Sequence, residues 1–160
     1  MQSQNVKKFN QGIALVEIIV AISIITMALL AILTVIQKSI YISRQSLQQA
    51  QASFLLEEGV EAVKVVRDND WSLISSLLPN TNYYLEFNSN LPNLTTTQNS
   101  LDIFTRIITT EYVYRDNNDD IAVSGVLDEG TRYITITISW LNGGQVLTKS
   151  LSFYLANIFQ

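Results

Sequence analysis

The chain has 160 residues, room for one modest domain plus one further long element. It contains neither cysteine nor histidine, which excludes disulfides, thiolate chemistry, cysteine-bound metals and the commonest general base. Acidic residues number 14 against 10 basic ones, for a net charge of −4, and the excess of acid beyond Ile36 speaks against a nucleic-acid-binding surface of the usual basic kind.

Residues 1–12 are short and polar, with Lys7 and Lys8 near their end. An apolar run follows over 13–36. Between Ile18 and Ile36 it holds no charge, and only Ser23, Thr26 and Thr34 are polar. At ~1.5 Å rise per residue, such a run spans the ~30 Å hydrocarbon core of a bilayer as a helix. Lys7 and Lys8 favour a cytoplasmic N-terminus, although Lys38 and Arg44 also flank the run. A cleaved secretory signal fits poorly. Its apolar region is about 7–15 residues long, and the small-residue triplet Ala50-Gln51-Ala52 lies far downstream of Ile36. The odd residue is Glu17, just inside the run. A carboxylate at the centre of a membrane helix costs roughly 2.5–3.5 kcal/mol on insertion scales, and less towards the end. Such a charge implies a partner.

The stretch Lys7-Lys8-Phe9-Asn10-Gln11-Gly12, followed by Ile13-Ala14-Leu15-Val16-Glu17-Ile18-Ile19-Val20-Ala21-Ile22, resembles the N-terminus of type IV prepilins and type II secretion pseudopilins. In that family a membrane peptidase cuts a basic leader after Gly, the new terminus is N-methylated, and a Glu stands fifth in the mature chain. The resemblance implies cleavage between Gly12 and Ile13, methylation of Ile13, and an assembly role for Glu17 facing a neighbour's terminal amine. It also implies a subunit of a pilus or pseudopilus, with other subunits, the processing enzyme and membrane lipid as partners. The expected location is the inner membrane, then the fibre outside the cytoplasm. The chain departs from the family in having Ile13 where Phe is usual, and Thr26 and Thr34 where Gly and Pro often stand. Many major pilins carry a C-terminal disulfide, so the lack of cysteine favours a minor subunit. The alternative reading is an uncleaved single-span tether for a binding domain, with Glu17 incidental.

Over 37–68 the helix continues, with Leu55, Leu56, Gly59, Val60, Ala62, Val63 and Val66 on one face. Glu57, Glu61, Lys64 and Asp68 line the other. Adjacent helical residues point about 100° apart, so Glu57 and Glu58 do not converge and read as a solvated face. Gly59 costs about 1 kcal/mol relative to Ala in a helix interior; it either admits close approach of a strand or is simply tolerated. Asp68-Asn69-Asp70 favours a stop.

Residues 69–160 read as an α+β head. Trp71 to Leu78 forms a short helical turn and Pro79 to Asn82 a turn. Tyr83 to Phe87 is a first strand, and the Asn-, Ser- and Thr-rich stretch Asn88 to Ser100 a loop. It contains Asn93-Leu94-Thr95, a glycosylation sequon of the kind that recurs by chance. Ile103 to Tyr114 is a strand with Phe104, Arg106, Ile108, Thr110, Tyr112 and Tyr114 on one side. Thr131 to Leu141 is another, with Ile134, Ile136, Ile138 and Trp140 pointing one way. A hairpin at Asn142-Gly143-Gly144 returns a strand bearing Leu147, Leu151, Phe153 and Leu155, interrupted by Lys149. The shift of period from 3.6 to 2 predicts one long helix whose second half is covered by an antiparallel sheet. In the acidic turn Asp116, Asn118 and Asp120 alternate oxygen ligands as Ca²⁺ would require, with Asp128 or Glu129 to complete the set. The spacing lacks the Gly and distal Glu of an EF-hand, and a solvated turn is the preferred reading. Tyr112, Tyr114, Tyr133 and Trp140 read as packing residues rather than a binding patch. No catalytic constellation is visible, and the chain is read as non-enzymatic.

Overall fold

A computed structural model describes residues 4–88 and 91–158, with side chains from Gly12 onward. The first element, α1, runs from Gln4 to Asn69 without a break. It therefore starts before Ile13, within the polar stretch, where no Pro prevents it. The chain forms two compact units, Met1–Ser46 and Leu47–Gln160.

In the second unit α1 presents Ala52, Leu56, Gly59, Val63 and Val66 inward, a three-and-four spacing that lays one stripe along the helix. Asp70 ends α1 and caps the next helix, α2 (Trp71–Ser75). Hydrogen bonds from the Ser72 hydroxyl, and then from its backbone N–H, hold the Asp70 carboxyl below the usual carboxylate range.

The strands are β1 (Tyr84–Asn88), β2 (Leu91–Thr95), β3 (Phe104–Arg115), β4 (Ile121–Ala122), β5 (Val126–Asn142) and β6 (Gln145–Ala156). β1 and β2 form an antiparallel hairpin. The other four form one antiparallel sheet in the order β4-β3-β5-β6. The fold is thus α+β, a long helix packed on antiparallel sheet. Phe104, Ile108, Ile134, Ile136, Ile138 and Trp140 face α1 as the alternation predicts. Phe104 and Trp140 pair across β3 and β5 and pack ring on ring, with centroids 5.7 Å apart. On β6, Lys149 turns its interruption of the apolar stripe to use, because its Nζ donates to Ser53 Oγ on α1.

Three expectations are corrected. Part of the stretch read as loop, Leu91–Thr95, is β2. Its Pro92 lies opposite Phe87 in a two-stranded ribbon, where a missing N–H can face away from the partner. Next, Tyr114 does not follow Phe104 inward. The β3–β5 register holds as far as Tyr112, opposite the buried Arg132, and then jumps to Val113↔Asp128; this bulge inverts the alternation, burying Val113 and taking Tyr114 off the inner face, while Tyr112 stays beside Arg132 at the exposed end of that face. The third concerns Glu58, which is more than a solvated helix residue. Its Oε2 accepts from the buried Arg106 Nη1 at 2.9 Å, and Arg106 Nη1 also donates to the Leu55 carbonyl at 3.0 Å. Arg106 reaches the helix backbone beside Gly59, where a Cβ would come within 3.2 Å of Arg106 Cδ and 3.3 Å of Ile136.

Candidate functional site

Between Gly12 and Arg44 every side chain of α1 is exposed. α1 is long and apolar enough to be a single membrane span. The three polar side chains between Ile18 and Ile36 are satisfied within the helix. Ser23 Oγ donates to Ile19 O at 2.8 Å, Thr26 Oγ1 to Ile22 O at 2.7 Å, and Thr34 Oγ1 to Ala31 O at 2.7 Å. These hydroxyls therefore carry little cost into hydrocarbon. Thr26 and Thr34 act here as back-bonded helix residues.

Glu17 differs from them. Among the described side chains none donates to it or forms an ion pair with it. Ile13 lies four residues earlier, one turn below on the same face. Beyond its chain neighbours and its own helix backbone, no described atom lies within 4 Å of where a Cβ on Gly12 would stand. The helix thus brings Gly12, Ile13 and Glu17 onto two successive turns. A chain beginning at Ile13 would place an ammonium on top of the positive end of the helix dipole, and the Glu17 carboxylate close by would offset both.

No protein-family profile, curated protein or solved structure matches the chain.

The acidic turn is organised by its own backbone. Asp116 Oδ1 accepts from Asn118 N at 2.8 Å and from Asp120 N at 3.1 Å, an Asx arrangement. Asn118 and Asp120 therefore contribute main-chain donors to Asp116. Arg115 supplies the positive charge nearby. Its Nε donates to Asp128 Oδ2 at 2.7 Å and its Nη1 to Asp119 O at 2.7 Å. Among the described residues no three carboxylates gather in a metal-binding group. Glu129 lies exposed on β5, apart from the Arg115–Asp128 pair.

Burial alone pushes the Asp128 carboxyl up, but hydrogen bonds from Arg115, Thr131 and the Gly130 N–H, with the Arg115 charge, outweigh it and leave it lowered. A lowered folded-state value means that the pair's stabilisation is complete above the unfolded carboxyl pKa of about 3.9 and is lost as pH falls below it. Thermal melts of the detergent-solubilised chain are expected to fall between pH 5 and pH 3. Asp128→Asn should flatten part of that fall, and an unchanged slope would show that other carboxylates govern it.

Of the aromatic residues read as packing, only Trp140 is in the core. Tyr133 pairs with Tyr154 on the other sheet face, with centroids 4.9 Å apart. The Arg132 guanidinium lies over the Tyr112 ring at 5.0 Å. Arg106 was missed as a key residue, although a charge on the inner side of an otherwise apolar strand was the signal for it.

Proposed function

We propose that the chain is a structural, non-enzymatic subunit of the type IV pilin and pseudopilin kind. It is cut after Gly12, methylated on Ile13, and assembled into a fibre through Glu17. One observation carries the reading. Among the described side chains Glu17 has no partner, whereas Ser23, Thr26 and Thr34 of the same apolar run bond back to the helix. A group so costly in lipid is held for a charge from outside the chain, and the amine of a processed neighbour supplies one at the same depth. Lys7 and Lys8 then orient the span with its N-terminus in the cytoplasm, and the sheet-bearing unit is exported. Before assembly the apolar helix anchors the subunit in lipid. In the fibre it packs on the helices of its neighbours. The lack of cysteine favours a minor subunit.

The test is the mass of the N-terminus in cells with an active prepilin peptidase. The expected mature chain starts at methylated Ile13. A retained leader would instead mark an uncleaved tether. Gly12 adds a second readout. Cleavage inside α1 requires local unwinding, which glycine favours by about 1 kcal/mol relative to alanine. Since Gly12 has open space around it, Gly12→Ala should leave folding and insertion intact while sharply reducing processing. Normal processing of that variant would remove Gly12 from the recognition site.

A further inference from the structure

We propose that the tip between β4 and β5 is a docking surface for α1 of a second copy of this chain, with Val123 seated in the hollow formed by Val35, Lys38, Ser39 and Ile42. This rests on the fibre-subunit reading and adds a contact to it.

The tip is apolar and bare. Val123 is 100% exposed, Val126 75% and Ile121 47%. Its base is closely packed at one point. Gly125 has φ +156°, and a Cβ there would collide with the Arg115 carbonyl. Arg115 ties the flanks together through Asp128 and the Asp119 carbonyl.

Charge selects the occupant. Asp116, Asp119 and Asp120 precede the tip and Glu129 follows it, while the nearby Arg115 is already engaged. The complementary surface is apolar with a cationic rim. This chain carries one. Val35, Lys38, Ser39 and Ile42, at three-and-four spacing, line one hollow of about 310 Å³ on α1. Arg44 follows, and no acidic residue lies between Glu17 and Glu57. The tip and the helix are different surfaces, so each copy offers one and accepts the other. Such heterologous contacts propagate into open filaments when the rotation does not close.

The chain has no cysteine, so a pair of introduced thiols reads the contact directly. Two differently tagged full-length copies, one with Val123→Cys and one with Ser39→Cys, are co-expressed with the processing and assembly machinery and mildly oxidised. Mixed disulfides between the tags are expected to exceed self-pairing of either variant by about tenfold. Lys38→Glu in the Ser39→Cys copy should lower the yield by about fivefold, and Asp120→Lys in the tip copy should restore it. Equal self-pairing, or fibres containing both copies without the mixed product, would overturn the contact. So would a fluorophore on Val123→Cys that reports transfer into phosphatidylglycerol vesicles. Processed chains in fibres that lack the cross-link overturn this contact alone. A retained leader with no fibre overturns both readings.

Discussion

Glu17→Ala is expected to insert into the membrane at least as well as the parent chain and to be almost absent from fibres. Removing the carboxylate relieves an insertion cost of up to roughly 2.5–3.5 kcal/mol, so the anchored subunit should not decline. On the proposed fibre-subunit reading, assembly would lose the attraction between that carboxylate and a neighbouring amine. For unit charges 4 Å apart this is about 4 kcal/mol at an effective dielectric constant of 20, equivalent to roughly a thousandfold in incorporation. Glu17→Gln keeps the shape and hydrogen-bonding capacity but loses the charge, so it should fall nearer to Ala than to Glu. The measurement is the ratio of sheared fibre to membrane-bound subunit. Parental incorporation of both variants would remove the carboxylate from the assembly step.

The second large effect is expected in the head, at Arg106. Its side chain is 1% exposed, and its Nη1 bridges the Leu55 carbonyl and Glu58. Its Nε is buried without a partner. Arg106→Ala empties the space beneath Gly59 and should cost about 3 kcal/mol, lowering the melting temperature by more than about 10 °C. Arg106→Met fills most of that space and removes a charge that is only partly compensated. Swapping buried charge for apolar volume is often neutral or favourable, so the Met variant should stay within about 1 kcal/mol of the parent. Thermal unfolding of both variants in detergent separates the contributions. Equal losses would assign the effect to the hydrogen bond on the helix backbone rather than to packing.

Much of this architecture was readable one residue at a time. The apolar run, the helical stripe from Leu55 to Val66, and the alternation of Ile134, Ile136 and Ile138 follow from chain periodicity, whereas Ala52 joins the stripe only in the folded chain. The stop at Asp68-Asn69-Asp70 was equally local, since short polar side chains there bind the backbone and Asp70 caps α2. The hairpin β1–β2 was not legible, because Pro92 and the Asn-rich composition argue against a strand. Only pairing with Tyr84–Asn88 offsets that preference.

The sequence by itself determined that a long helix carries one lone carboxylate through an apolar segment, since charge and hydropathy are properties of single residues. It also determined the inner face of β3 and β5 as far as the period of two held. The tertiary structure decided where that period breaks, because the bulge at Tyr112 and Val113 arises from a register between two strands and neither strand specifies it alone. It likewise decided that Glu58, exposed on α1, pairs with the buried Arg106 of β3, and that the segment after the acidic turn becomes an exposed apolar tip. Those outcomes depend on residues 13 to 48 positions apart reaching hydrogen-bonding distance, which no local pattern encodes.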